Sequence, residues 1–256
     1  TFFCLSFFAG PVGAVAMHYS DKYNDVTYNA QLVPGCAESG ILALRRRHGR
    51  GSHARGHGRH QGLPRCGHSD GETLEHADDQ GKMDLVKASG ALAVAMDVDA
   101  AGLPFLKICA ACWQQSVEEM KEIIALTDVP FIVKGIMSVK GAVKAAQAGA
   151  AAIVVSNHGG RVLDQSPATA EVLPEIAAAV GGKVKIFVDG GIRTGVDVFK
   201  ALALGADAVL IARPFVNAVY GGGKEGVRCL VDKLGAELKD TMEMCGQLRS
   251  VKLRAR

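Results

Sequence analysis

The sequence lacks the features that would point to a membrane, a nucleic acid or a metal. No apolar run approaches the roughly 18–20 residues that a membrane span needs. The formal net charge is only +3 over 256 residues, too small to indicate a nucleic-acid or anionic-membrane partner. The seven cysteines include one C-x-x-C pair, Cys109 and Cys112, with no second pair and no histidine beside it. We therefore predict unpaired cytosolic thiols and no metal site.

Aromatic residues are also scarce, with a single tryptophan, whereas glycine occurs 31 times. This composition is typical of a globular α/β enzyme rich in tight turns and excludes a fibrous or disordered chain. The first ten residues are apolar but have no basic lead, no cleavage pattern and no initiating methionine. We expect them to form a strand of an N-terminally truncated chain, and we expect a cytoplasmic protein.

From residue 84 onward, short β-branched runs alternate with amphipathic segments, which predicts βαβ units and a parallel sheet. The predicted strands are 91–99, 130–135, 151–156, 184–188 and 208–212. The predicted helices are 117–126, 139–148, 168–180, 197–204 and 226–244. Nearer the start, 7–15 is a predicted strand and 28–40 a predicted helix. One (β/α)8 TIM barrel over residues 1–256 fits this order, and a doubly wound open sheet is the alternative.

Polar residues follow successive predicted strands at their carboxyl ends, where parallel barrels keep their chemistry. Among them, His158 is flanked by glycine, which leaves the imidazole accessible, and Arg161 offers a fork suited to a carboxylate. A lone histidine is more often a surface or satisfied core residue, and Lys134 can simply snorkel to the rim. The clustering at several strand ends favours a catalytic face.

A phosphate site is predicted at the segment Asp189-Gly190-Gly191-Ile192-Arg193, a turn ahead of a predicted helix. Backbone N–H groups and an arginine at such a turn can hold a phosphate, although an ordinary glycine-rich turn is the alternative. Ala212 and Arg213 favour the phosphate site, because such sites recur after strands 7 and 8 of these barrels.

Residues 45–82 interrupt the pattern. They are almost free of aliphatic residues and contain six of the eight histidines, so the two barrel strands that belong there cannot be recognised. A metal site is one interpretation, but the histidines are irregularly spaced. A nucleic-acid tail is a second, but a tail does not belong between two strands. We favour a third, a segment translated out of frame between two compensating indels, with normal sequence resuming at Met83. Strand-like sequence in another reading frame of the gene would support it.

Residues 84–245 resemble the FMN-dependent 2-hydroxy-acid oxidase and dehydrogenase family, which includes glycolate oxidase, lactate oxidase and the flavin-type L-lactate dehydrogenase. The resemblance is carried by PFIVKGI, AAIVVSNHGGRVLDQSPAT, IFVDGGIRTGVDVFKALALGADAVLIARPF and ELKDTMEMCG, and FFAGPVGAVAMHY resembles the family's first barrel strand. It implies FMN as cofactor and oxidation of a small L-2-hydroxy acid, of the lactate or glycolate type, to the 2-oxo acid. It also implies oxygen or another electron acceptor, and a homotetramer.

The resemblance gives each site residue a role. His158 would remove a proton from the substrate while a hydride equivalent leaves for flavin N5, Asp99 would orient this histidine, and Arg161 would hold the substrate carboxylate. Lys134 would stabilise the reduced flavin, and Ser156 would contact its ring. The ribityl chain and phosphate would be held by Asp189, Gly190, Gly191, Arg193, Ala212 and Arg213. Backbone contacts to the flavin would come from Pro11, Val12 and Gly13.

The chain also departs from the family pattern. Asp97 stands where the family usually has threonine, and only Lys107 lies near the place of a second substrate arginine. The flavin-contacting Gln-x-Tyr pair of strands 2 and 3 is absent from residues 45–82. The alternative function is therefore a catalytically impaired or decayed barrel that keeps the FMN phosphate site, or a related FMN-barrel isomerase. The SNHGGR segment argues against the isomerase.

Overall fold

The computed structural model describes residues 6–46, 68–70, 79–99 and 115–247, and within these ranges it has one eight-stranded parallel sheet. The strands are β1 (Phe7–Ala9), β2 (Arg45–Arg46), β3 (His68–Asp70), β4 (Val94–Asp97), β5 (Phe131–Ile136), β6 (Ala152–Val155), β7 (Lys185–Val188) and β8 (Ala208–Ile211). They lie in the order β1-β8-β7-β6-β5-β4-β3-β2.

The two edges of this sheet meet. The Ala9 N–H donates to the Leu42 carbonyl at 3.0 Å, and the Leu44 N–H donates to the Ala9 carbonyl at 2.8 Å. Because Leu44 leads directly into β2, these hydrogen bonds join β1 to the other end of the strand order and close the sheet. The predicted barrel is confirmed, and the open-sheet alternative is wrong.

Helices follow the strands and cover the outside of the barrel. In the described ranges they are α1 (Val15–His18), α2 (Asp25–Glu38), α3 (Asp79–Ser89), α4 (Val117–Ala125), α5 (Val139–Gln147), α6 (Thr169–Val180), α7 (Gly195–Ala203) and α8 (Arg213–Met244). None of them combines the length and the apolar character needed to cross a membrane. Gly222 and Gly223 have non-helical angles and divide α8 into two segments, of which the sequence predicted only the second.

The strands separate two apolar layers, because successive strand residues point to opposite faces. The outward layer packs against the helices and includes Met96, Val133, Ile153 and Val209. The inward layer fills the barrel with Phe8, Leu44, Ala95, Ile132, Ala152, Val154, Phe187 and Leu210. Four polar residues lie two positions beyond inward-facing residues of β4, β5, β6 and β7, and they therefore point to the same face. They are Asp97, Lys134, Ser156 and Asp189. The strand period thus brings four polar side chains together above the apolar plug.

The predicted strand 7–15 is wrong beyond Ala9. Pro11 has no N–H for a sheet ladder, and Ala14 adopts a left-handed φ of 53°, so the chain turns away from the sheet. Both oxygens of Asp25 stabilise this turn, accepting from the N–H groups of Ala14 and Val15 at 2.7 Å each. The apolar residues of this stretch therefore belong to a loop and to α1 rather than to a longer β1.

The interval 45–82 contains the two strands that could not be recognised in its sequence. Arg45 pairs with His68 in register, and His68 pairs with Val94. Such pairing is made by backbone groups, so strands of two and three residues form without the apolar pattern that would predict them. α3 begins at Asp79, upstream of Met83. Residues 47–67 and 71–78 lie outside the described ranges, so the three interpretations of this segment stay predictions.

Candidate active site

A buried ion pair joins the carboxyl ends of β4 and β5. Asp97 and Lys134 are register partners on these neighbouring strands. Lys134 Nζ donates to Asp97 Oδ1 at 2.7 Å, and the side chains of Lys134 and Asp97 are only 4% and 7% exposed. Burial disfavours the ammonium, but the carboxylates of Asp97, Asp189 and Asp99 outweigh burial and hold the pKa of Lys134 above its ordinary value. Lys134 is therefore a fixed positive charge at neutral pH.

Asp99 reaches this cluster because β5 has a glycine irregularity opposite it. The register between β5 and β6 shifts between Lys134 and Ile136, and Gly135 has a φ of 98°. A Cβ on Gly135 would lie 2.7 Å from both Cβ and Cγ of Asp99. Glycine thus provides the space for the carboxylate and a backbone angle that other residues adopt only with strain.

His158 stands in a tight loop that follows β6. Its φ is 56°, and its N–H donates to Oγ of the fully buried Ser156 at 3.1 Å. Asn157 closes the loop, since its Oδ1 accepts from the Gly160 N–H and its Nδ2 donates to the Pro167 carbonyl, both at 3.1 Å. The His158 side chain is 24% exposed, so a small ligand can reach it.

The imidazole of His158 faces two groups of opposite charge. Nδ1 lies 3.2 and 3.3 Å from the two oxygens of Asp99 and 3.4 Å from Lys134 Nζ. A carboxylate accepts and an ammonium only donates, so a proton on Nδ1 is donated to Asp99. This tautomer leaves the lone pair on Nε2, which can take a proton, and Asp99 stabilises the imidazolium that results.

Three of these residues also resemble a metal site. Asp97, Asp99 and His158 each place one possible ligand atom within 4.8 Å of the others. However, the Lys134 ammonium lies 2.7 Å from Asp97 and 3.4 Å from the His158 Nδ1, so it already supplies the cation. A metal ion would have to displace it against charge repulsion. The cluster is therefore suited to proton transfer rather than to metal binding.

Asp189, at the end of β7, lies beside the same cluster of charged side chains. Burial raises the pKa of Asp189, and this effect exceeds the lowering by Lys134, by the hydrogen bond from Ser156 and by His158. Its Oδ1 is buried without a hydrogen-bond partner among the described residues. Buried polar atoms normally have partners, so this oxygen fits a donor such as a ligand hydroxyl.

The glycine turn after Asp189 offers backbone donors to an anion. Gly190 and Gly191 have φ values of 92° and 78°, and a Cβ on Gly191 would meet nothing within 4 Å. No partner for the N–H of either glycine occurs among the described residues. The turn is thus an open cradle of the kind that binds phosphate.

The first turn of α7 contributes less to this cradle than the sequence suggested. The Asp197 carboxylate accepts from the N–H groups of Arg193 and Thr194 at 3.0 and 2.9 Å. Glu237 accepts from the Gly195 N–H at 2.8 Å. Burial is the largest single effect on Asp197 and opposes its ionisation, but the hydrogen bonds from Arg193 and Thr194 together outweigh burial and lower its pKa. Backbone donors for an anion are therefore the glycines and not the helix start.

Residues 10–13 and the start of α8 lie at the same carboxyl ends of the strands. The Gly10 N–H donates to the Ile211 carbonyl at 2.8 Å, and a Cβ on Gly10 would lie 3.4 Å from that of Ala212. Pro11, Val12 and Gly13 follow and are half-buried. A Cβ on Gly159 would lie 3.0 Å from a guanidinium nitrogen of Arg213, so the His158 loop contacts the start of α8.

The structure therefore brings most predicted site residues to one face, and it adds three that the sequence did not identify. Arg161 and Arg193 are exposed, and within the described ranges neither forms an ion pair. The added residues are Gly135, Asp197 and Asp97, of which the last was noted only as a departure. Its position two residues before Asp99 on a strand was the available signal, since such residues share a face.

Comparison with known proteins agrees with the resemblance described in the sequence analysis. A family described as FMN-dependent dehydrogenase matches residues 83–255, beginning where normal sequence was predicted to resume. A peroxisomal (S)-2-hydroxyacid oxidase of Arabidopsis thaliana is 47% identical over 131 residues, which are 51% of this chain and 36% of that protein. A 4-hydroxymandelate oxidase of Amycolatopsis orientalis is 50% identical over 136 residues, 53% of this chain and 37% of that protein. The matched part is thus little more than a third of these relatives.

Solved structures match a larger part of the chain. A mandelate oxidase variant with a monooxide FMN adduct superposes with a TM-score of 0.79 and 29% identity. This match covers 98% of the present chain and 78% of that one.

Proposed function

The chain belongs to the FMN-dependent dehydrogenase family, and from this we propose that it oxidises a small (S)-2-hydroxy acid to the 2-oxo acid. The observation that carries the proposal is the Asp99–His158 pair, with Nδ1 3.2 Å from the carboxylate and an accessible imidazole. The relatives named above are oxidases of hydroxy acids, and lactate and glycolate are the substrates that we propose to test first.

FMN is the cofactor of this family, and the residues at the carboxyl ends of the strands fit it. Oδ1 of Asp189 has no hydrogen-bond partner in the described part of the chain and suits a hydroxyl of the ribityl chain, and the open glycine turn suits the phosphate. We assign the phosphate end to Asp189, Gly190, Gly191, Arg193, Ala212 and Arg213 and the ring contacts to Pro11, Val12, Gly13, Lys134 and Ser156. When bound, FMN supplies the acceptor for the two electrons that leave with the substrate's α-hydrogen.

The residues of the chain supply the proton transfer and the orientation. Nε2 of His158 takes the proton of the substrate hydroxyl, and Asp99 stabilises the imidazolium across Nδ1. Arg161, exposed three residues after His158, presents a planar fork to the substrate carboxylate. Lys134 places a fixed positive charge where negative charge develops.

Anaerobic mixing tests the proposal. We expect the purified chain, loaded with FMN, to lose its yellow absorbance on addition of L-lactate or glycolate and to keep it with D-lactate. Persistence of the colour with every (S)-2-hydroxy acid tried, while FMN stays bound, would contradict the proposal and favour a decayed barrel. A chain that does not bind FMN would contradict it as well.

We also propose an electron acceptor, an oligomeric state and a cellular compartment. Oxygen or another acceptor reoxidises the flavin, and readmitting air after bleaching distinguishes the two.

Residues 1–256 form one domain that assembles as a homotetramer, and light scattering measures the mass of this assembly. Within the described ranges Cys36, Cys229 and Cys245 form no disulfide, which fits a reducing compartment such as the cytoplasm.

A further inference from the structure

Lys134 is surrounded by three carboxylates, and the nearest of them has no part in the proton transfer proposed above. Asp97 accepts from Nζ at 2.7 Å, whereas Asp99 faces His158 and Asp189 borders the glycine turn. Asp97 is 6% exposed, and its position is set by the register of β4 with β5. Burying a carboxylate costs free energy, so a contribution to stability alone does not explain why Asp97 is there.

We propose that Asp97 is a positioning residue that holds Lys134 in a neutral buried pair and weakens the attraction of Lys134 for anions bound above the strand ends. The proposal rests on the proposed function, because FMN and a hydroxy acid would bring those anions. It concerns the strength of the site and not the identity of the substrate.

The pair acts through position. Lys134 Nζ lies only 3.4 Å from the His158 Nδ1, and Asp99 is the shared neighbour of both groups. Without Asp97, the ammonium would be drawn toward Asp99 and would compete with the imidazole for its oxygens. Asp97 holds the Lys134 ammonium beside the end of β4. The oxygens of Asp99 therefore remain available to His158.

The pair also acts through charge. An ammonium and a carboxylate in contact have a much weaker field at a distance than the ammonium alone. Lys134 is the positive member of this buried cluster, and Arg161, Arg193 and Arg213 are exposed to solvent, which screens them. Removing the charge of Asp97 should therefore increase anion affinity above the strand ends.

Sulfite binding to the FMN-loaded protein measures this effect. D97N keeps an oxygen that can accept from Nζ but removes the negative charge, so we expect sulfite to bind about tenfold more tightly than in wild type, as followed by flavin absorbance. E38Q is the matched control, because it removes the carboxylate that pairs with Lys224 at 2.8 Å on the surface, with both side chains about half exposed. Equal sulfite affinity in D97N and wild type would overturn the proposal.

Unfolding of the chain without cofactor provides an independent arm. K134M leaves Asp97 buried and unpaired, so it should be strongly destabilised, and D97N/K134M should unfold at a higher denaturant concentration than K134M. Recovery of folding by the double variant when K134M does not fold would count equally in favour. A double variant no more stable than K134M would overturn the pairing. Absence of FMN binding in wild type would overturn the proposed function alone, because this arm needs no flavin.

Discussion

The carboxyl face of the barrel has two sides that present polar groups differently. On the proton-transfer side (Asp97, Asp99, Lys134 and His158), the side chains contact one another, and the Asp97–Lys134 pair is neutral overall. On the cradle side (Gly190, Gly191, Ala212 and Arg213), the donors are backbone groups and an exposed guanidinium, and the N–H groups of the two glycines have no partner among the described residues. The first side is organised before a ligand arrives, whereas the second needs a ligand to satisfy it.

Substitutions on the two sides should therefore have separate effects, one on the rate of the reaction and the other on flavin binding. A change at Asp99 or His158, on the proton-transfer side, should slow the chemistry and leave the flavin bound. A change on the cradle side should release the flavin and leave the chemistry intact once the flavin is resupplied. The variants that follow test this separation.

The largest effect is expected from H158A. Loss of the base should slow reduction of bound FMN by L-lactate roughly 10²–10⁴-fold, while the FMN content of the purified protein stays at the wild-type level. Stopped-flow absorbance gives the rate, and the flavin-to-protein ratio gives the content. H18A, at an exposed histidine in the last turn of α1, is the control. If H158A lost its flavin, the two sides would not be independent.

A smaller but still large effect is expected from G135A. The added Cβ meets Asp99 at 2.7 Å, so the carboxylate shifts and no longer orients His158. Misplacement of this order should cost about 10²-fold in the rate of flavin reduction. G149A is the matched control, because Gly149 has a φ of 94° but nothing within 4 Å of its Cβ position. Both variants incur the backbone strain, so equal rates would show that the contact with Asp99 has no functional effect.

On the cradle side, R213L should weaken FMN binding by about 10–100-fold, the usual effect of losing a hydrogen bond to a charged group. The rate of flavin reduction at saturating FMN should stay near the wild-type value. Fluorescence titration with FMN measures the first quantity, and stopped-flow absorbance measures the second. R228L removes an exposed arginine from the outer part of α8 and should bind FMN as wild type does. A slowed reaction at saturating FMN would place Arg213 on the proton-transfer side instead.

The sequence predicted the cradle side in detail because its residues are contiguous. The run from Asp189 to Arg193 and the pair Ala212–Arg213 can be recognised without knowing how strands pair. What the pattern did not show is which N–H groups are free, because that depends on Asp197 and on Glu237, which reaches Gly195 from α8.

The proton-transfer side was harder to predict, since it depends on register. His158 and Lys134 were recognised at strand ends, but the pairing of Asp97 with Lys134 follows from how β4 aligns with β5, which no local pattern contains. The apolar strands β5 to β8 were predicted nearly to the residue, because strands buried on both faces are continuous apolar runs. β2 and β3 were missed because they are very short and are held by backbone pairing.

The smallest effect is expected at the cap of α7, on the edge of the cradle side. Because the pKa of Asp197 is lowered in the folded state, its carboxylate stabilises the fold above its ordinary pKa of 3.8, and this stabilisation is lost as the pH falls through the folded value. D197N should therefore lower the melting temperature by about 1–2 °C at pH 7, and the difference from wild type should disappear toward pH 3. D232N, at an exposed site on α8, controls for the loss of one charge. A difference that persisted unchanged in acid would mean that Asp197 acts through packing, and the cap would then contribute nothing to the pH dependence of stability.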